Sequence, residues 1–197
     1  MTLDQFLGLV GFAFVTSVTP GPNNLMLMAS GANFGLRRTL PHMAGISLGH
    51  AFMALLVGLG LGAALAAVPQ AKMALKVAAV VYMLWLAWKM AHASAPGDGK
   101  AGGRPLTFLQ AAAFQWVNPK AWAMAIGAMA AYANSGGWPQ VAMVAGLFAL
   151  INFPSVMLWA AAGQALRSVL QDPVRLRVFN YTMAFLLVVS LWPVLKV

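Results

Sequence analysis

The chain has 197 residues, of which 61% are hydrophobic and only 8% charged. A soluble domain of ordinary composition carries about 25% charged residues, so the balance disfavours a water-soluble fold and points to an all-α polytopic membrane protein. The net charge of +9 comes from 12 Lys and Arg against 3 acids, scattered between apolar runs without a basic face, which argues against nucleic acid as a partner and for loops beside an anionic bilayer surface.

There is no Cys, which removes disulfide and thiolate chemistry. The size allows one domain, residues 1–197, a single transmembrane transporter unit. The opening run "MTLDQFLGLVGFAFVTSVTPG" has Asp4 as its only charge. It lacks a basic head and a clear small-residue cleavage site, and reads as a retained first span rather than a signal peptide.

A helix needs about 20 apolar residues to cross the hydrocarbon. Six segments qualify, roughly 3–32, 43–67, 72–91, 107–132, 141–164 and 176–195. The separators "RRTLPH", "VPQAK", "HASAPGDGKAGGRP", "NSGGWPQ" and "RSVLQDPVRLR" are mostly Gly or Pro with charge, as turns are. With both termini outside, the inner loops hold Arg37, Arg38, Lys89, Lys100, Arg104, Arg167, Arg175 and Arg177, against Lys72, Lys76 and Lys196 outside. The positive-inside rule selects that orientation, with both termini outside the cytoplasm. An even number of spans requires the two ends to share a side.

The first span is interrupted by Thr19, Pro20, Gly21, Pro22, Asn23 and Asn24. Pro lacks an amide donor and clashes with the preceding turn, the residue before it leaves helical geometry, and Gly is a poor helix former. Backbone unwound against lipid would leave polar groups unsatisfied, so the break must face protein or a wet cavity. Thr19-Pro20 also has the form of an N-cap followed by a first helical residue, which predicts a half-helix starting at Thr19.

The second span carries His42 near its start and His50 in its interior. His50 is a candidate proton relay or pathway residue, because imidazole titrates near neutrality. His42 and His92 sit near span ends and carry no special expectation. Gly45, Gly49, Gly58, Gly60 and Gly62 suggest close helix packing. Three scattered His, no Cys and no buried acid do not make a metal site.

The fourth span is interrupted by Asn118, Pro119 and Lys120. Asn118-Pro119 is a second N-cap signal, and Lys120 is an intramembrane charge of the kind that marks a pathway. Helix N-termini present free amides and a positive dipole end to anions. Amides and a Lys without any acid in a span interior favour a substrate carboxylate. A substrate amine would then need carbonyls, Asn oxygens or an aromatic face, with Asn23, Asn24, Trp116, Trp122 and Asn152 as suppliers. Asn152, in the fifth span, joins His50 as a candidate pathway residue.

The two halves echo one another. Thr19-Pro20 is matched by Asn118-Pro119, "AGISLGHAF" from Ala44 by "AGLFALINF" from Ala145, and "LKV" from Leu75 by "LRV" from Leu176, all at an offset of about 100 residues. Repeat one covers about 1–92, a cytoplasmic loop about 93–106, and repeat two about 107–197. Repeats of three spans must have opposite orientation, the inverted architecture of secondary transporters. The predicted fold is six transmembrane helices in two inverted three-helix repeats, with helices 1 and 4 broken.

The pieces "TPGPNN", "GLRRTLPHMAGISLGHA", "LKVAAVVYMLWLAWKM" and "FLQAAAFQWVNPKAWAM" together resemble the lysine exporter family of LysE/RhtB type, which includes threonine and homoserine efflux proteins. The resemblance covers essentially the whole chain in order. It implies six helices, no cofactor, and export of amino acids or related metabolites driven by the proton gradient. Export, as opposed to uptake, is implied by this resemblance alone. The chain departs from the family pattern at Ala87, where a Gly is usual, in the small residues of "MAIGAMAAY", and at His50, where some relatives carry Asp.

The expected partners are a small amino acid or similar carboxylate, protons and the lipid bilayer, and a homo-oligomer is left open. A cation or heavy-metal exporter is the alternative within the same superfamily, opposed by the lack of Cys and of buried Asp or Glu. An intramembrane enzyme would rest on Ser17 and His50, with nothing in the sequence to orient His50. The chain is therefore read as a transporter and not an enzyme.

Overall fold

The computed structural model describes residues 1–93, 104–133 and 137–192. Lys100, Lys196, most of the expected loop 93–106 and residues 134–136 of the expected turn "NSGGWPQ" lie outside the described residues. Every regular element among those described is helical: α1 (Leu3–Val18), α2 (Pro22–Phe34), α3 (Leu36–Leu56), α4 (Gly62–Ala66), α5 (Pro69–Ala91), α6 (Phe108–Phe114), α7 (Pro119–Tyr132), α8 (Gly137–Leu166) and α9 (Pro173–Val189).

α3 continues into α4 through a π-helical turn at Val57–Leu61, so that Leu36–Ala66 forms one span. Among the described residues, three helical stretches are long and apolar enough to cross a membrane, namely Leu36–Ala66, Pro69–Ala91 and Gly137–Leu166. The bent pair α1 and α2, at 57° to each other, makes a fourth when taken as one span. The chain is thus a multi-pass helical membrane protein.

Several span ends differ from the sequence expectation. The predicted separator "RRTLPH" is helical, and only Gly35 (φ 80) parts α2 from α3. Pro41 falls early in α3, where the missing amide removes one hydrogen bond close to a helix end. Gly137–Gln140, expected in a turn, form the first turn of α8, where Pro139 removes an amide that has no helical acceptor anyway. The helix at the last expected span, α9, begins at Pro173, capped by Asp172, whose side chain accepts from the amides of Val174 (2.8 Å) and Arg175 (2.9 Å).

The core forms two apolar clusters with a polar layer between them. Along α1 and α2, Leu9 and Ala13 belong to one cluster, Ser17 and Asn24 follow, and Leu25 to Ala29 belong to the other. α8 repeats that order, with Val141 to Phe148, then Asn152, then Val156 and Ala160. α3 reverses it, with Met43 and Ile46, then Ser47 and His50, then Met53 and Ala54. α6 and α7 also reverse it, from Ala111 and Phe114 through Gln115 and Asn118 to Ala121 and Ala125. Four segments therefore contribute polar side chains at one depth, and both backbone breaks lie in that layer.

α8 packs against α1, α2 and α3, while α3 also packs against α6 and α5 against α9. The α2–α8 crossing is the closest. A Cβ added at Gly31 would fall on the backbone of Ala160, and one at Gly163 on the backbone of Met28. Gly45 and Gly49 serve α3 in the same way against Phe108 and Ala112 of α6, as small residues in membrane helices do. Gly60 does not fit the packing expectation. It faces open space with φ 109, a left-handed conformation inside the π-helical turn that a side chain would strain.

Candidate functional site

The first break is built by two prolines. Thr19, before Pro20, is extended (φ −63, ψ 146) and closes α1. Gly21, before Pro22, is extended as well (φ −179, ψ 177), and α2 begins at Pro22. This corrects the expected helix start at Thr19. The second proline moves the start two residues on, Gly21 takes the N-cap position, and the Thr19 hydroxyl turns back to the Thr16 carbonyl (3.1 Å). Gly21 offers no side chain to cap α2, so the amides of its first turn receive no side-chain acceptor.

The carbonyls freed at the end of α1 are each paired, as a membrane interior requires. Ser17 O accepts from Asn24 Nδ2 at 2.8 Å, and Val18 O from Trp159 Nε1 at 3.0 Å. Thr19 O accepts from Asn24 Nδ2 at 2.7 Å and from Lys120 Nζ at 2.5 Å, and Pro20 O from Lys120 Nζ at 3.3 Å. Side chains from three separate helices thus stand in for the missing helical turn.

The second break has the predicted form. α6 tightens into a 3₁₀ turn at Gln115–Val117, Asn118 is extended, and α7 starts at Pro119. Asn118 caps α7, its Oδ1 accepting from the Lys120 amide at 3.1 Å. Trp122 Nε1 returns to the Trp116 carbonyl at 2.8 Å and the two rings meet edge-on, so this pair supports the break.

The breaks meet through two contacts, and a third polar chain ties the first break to α3 and α8. The half-buried Lys120 ammonium donates to Thr19 O, Thr19 Oγ1 (3.0 Å) and Pro20 O, which uses its three protons. Asn23 and Gln115 exchange amide hydrogen bonds at 2.9 and 3.2 Å. Asn152 donates to Ser17 Oγ at 3.0 Å and accepts from Ser47 Oγ at 2.8 Å. A Cβ at Gly21 would stand 2.7 Å from Lys120 Cδ, so a side chain there would push the Lys120 side chain aside.

The space enclosed by Gly21, Asn23, Asn24, Asn118, Lys120 and Asn152 is about 20 Å³. That is room for about one water and no more. In this conformation the site is shut, with Lys120 holding backbone oxygens.

The structure gathers most of the residues predicted from sequence and leaves one apart. His50 is buried one helical turn beyond Ser47 and packs against the Phe148 ring, with centroids 4.9 Å apart. It does not line the break cavity, and neither ring nitrogen has a hydrogen-bond partner. Gln115, Ser47 and Trp159 were not predicted. Gln115 had a readable signal, an amide side chain in an apolar run directly before "WVNPK". Ser47 and Trp159 had none, because their partners are distant in sequence.

A family model described as LysE type translocator matches residues 14–190, a stretch that includes both breaks. The chain belongs to this family. It is 31% identical over 180 residues to the cysteine/O-acetylserine efflux protein of Escherichia coli (strain K12), covering 90% of each chain. The protein of the same description from Shigella flexneri matches equally, with 31% identity over 180 residues and 90% of each chain. That of Escherichia coli O139:H28 is 32% identical over 155 residues, covering 77% of this chain and 78% of its own. No solved structure matches the chain. As a LysE type translocator it is a membrane transporter, and its shared polar layer is the part of the bundle with the chemistry to hold a polar solute.

Proposed function

We propose that this LysE type translocator is a secondary exporter of small amino acids or related carboxylate metabolites in a bacterial inner membrane, with both termini on the outer face. Six spans in two inverted repeats work by alternating access, and the proton gradient drives export. The observation that carries the reading is the Lys120 ammonium, which crosses from one break to the other and is paired only with uncharged oxygens. The opposite order of the polar layer along α1–α2 and α6–α7, and along α3 and α8, supports the inverted repeat. So do the matched pairings of α1 with α8 and of α6 with α3.

A substrate carboxylate replaces Thr19 O and Pro20 O on Lys120, a stronger, charge-assisted pairing. The uncapped amides at the start of α2 give it a second anchor. Thr19 O and Pro20 O, released, accept from the substrate ammonium. Asn23, Asn24 and Asn118 hold the backbone of the breaks in place while the halves rock, and His50 and Asn152 line the pathway nearby.

The relatives' descriptions narrow the substrate to small uncharged side chains, as in cysteine and O-acetylserine. The test is counterflow in proteoliposomes with labelled L-cysteine and O-acetyl-L-serine, with and without an imposed pH gradient. Saturable flux that follows the gradient supports the reading. Absence of flux for every small neutral amino acid overturns it.

A further inference from the structure

We infer that a second, larger cavity is an entry site that binds small zwitterionic amino acids with uncharged side chains before they reach the breaks; this rests on the exporter reading. The cavity has a volume of about 450 Å³ and lies at the end of the bundle opposite the start of α1. That volume is within the range of small-molecule sites, about 300–1,000 Å³. Its walls come from α2, α3, α5 and the segment that leads into α6, and include Met26, His42, Lys89, Met90 and Arg104.

Its chemistry is one-sided. Among the described residues that line it, Lys89 and Arg104 supply positive charge and there is no Asp or Glu. Most polar side chains in the wall are already engaged. Asn33 donates to Ala29 O (2.8 Å) and Asn180 Oδ1 (2.9 Å), and Ser30 pairs with Thr39 (2.9 Å). His42 differs from them. It is 2% exposed, and neither ring nitrogen has a partner.

A neutral imidazole offers one donor and one acceptor, and leaving both unmatched in an apolar wall is costly. An α-amino acid headgroup brings the complement, a carboxylate for the donor and an ammonium for the acceptor. The two cations add to the hold on the carboxylate and repel a cationic side chain. Met26, Leu86 and Met90 suit a small uncharged one.

The position of the cavity suits an entry site. Met26 at its inner end is three residues beyond Asn23, about 4.5 Å along the helix axis. The Asn23–Gln115 bridge therefore stands between this cavity and the breaks.

The experiment measures binding to the purified full chain in nanodiscs, read by tryptophan fluorescence, since Trp88 lines the cavity. The probes are O-acetyl-L-serine, its methyl ester and L-lysine. O-acetyl-L-serine is expected to bind, with its methyl ester and L-lysine each weaker by about tenfold, the worth of one charge-assisted contact. Lys89→Gln and Arg104→Gln should each weaken binding of O-acetyl-L-serine by a similar factor, and His42→Gln should weaken it as well.

Equal binding by Lys89→Gln, Arg104→Gln and the wild type overturns the entry site, as does equal binding of the three probes or none of O-acetyl-L-serine. If His42→Gln does not fold, the two cation variants decide alone, because neither residue is in the packed core. The exporter reading is judged separately by flux of the wild type in proteoliposomes. It fails if flux is absent even where binding follows the expected pattern.

Discussion

Lys120, on the second half of the chain, donates its ammonium protons to the carbonyls of Thr19 and Pro20 on the first, 101 and 100 residues away. This contact joins two breaks that the sequence presents separately. A backbone carbonyl is a neutral partner for a desolvated ammonium, and a carboxylate is a better one.

Replacing Lys120 with Gln should therefore reduce flux by at least about tenfold, the value of one charge-assisted hydrogen bond of about 1.5–3 kcal/mol. Lys120→Arg keeps the charge and should retain part of the activity. Flux in proteoliposomes at matched protein levels checks both. Wild-type flux in Lys120→Gln would remove the residue from the site.

Asn24 ties two freed carbonyls, Ser17 O and Thr19 O, with one amide group. Asn24→Leu leaves Ser17 O without a donor in a dry interior, so a loss of about 2–4 kcal/mol is expected. The readout is a fall in the thermal unfolding midpoint in detergent. Asn24→Asp also loses both donors and should be no more stable than Asn24→Leu.

Asn118 and Thr19 look alike in the sequence but have different roles. Asn118→Ala removes an N-cap and should cost about 1 kcal/mol, with Asn118→Ser recovering most of it. Thr19→Ala removes no cap. It should cost well under about 1 kcal/mol in stability while loosening the Lys120 contact. Thermal midpoints of the three variants, measured side by side, separate the roles. A Thr19→Ala cost as large as that of Asn118→Ala would return Thr19 to the cap position.

The chain contains no Cys, so single cysteines can be added without a background. Thr2→Cys should react with a membrane-impermeant maleimide from outside intact cells. Arg38→Cys should react only after the membrane is opened. The reverse pattern would invert the proposed orientation.

The breaks were legible in the sequence because proline acts locally. Its missing amide breaks the helix where a second local signal joins it, Gly21 and a further proline at Pro20–Pro22 and the Asn118 cap at Pro119, whereas Pro41 and Pro154 stay inside helices. The Asn118 cap was legible for the same reason. Thr19 was misread because a second proline two residues later competes for the helix start, and only Pro22 has the run of helical residues behind it. The start of α3 was misread because "RRTLPH" has the composition of a loop, and nothing local shows that Leu36 to His42 extend a helix about two turns past the apolar run.

His42 shows a different limit. Near a span end it carries no special expectation, yet it is buried, and burial made by other segments leaves no mark on its neighbours in sequence. The Ser17–Asn152–Ser47 chain is of the same kind. Each residue could be placed on its own helix, and their shared depth in the bundle emerges only from packing.

The crossing of α2 and α8 bears on how the bundle changes shape. Gly31 and Gly163 bring the two backbones so close that the helices cannot slide past each other without collision. One belongs to the first half of the chain and the other to the second. Under the alternating access proposed above, relative motion of the halves is then rotation about this line of contact, with displacement growing away from it. The crossing is an axle, and a side chain inserted there would seize the machine before it touched the cargo.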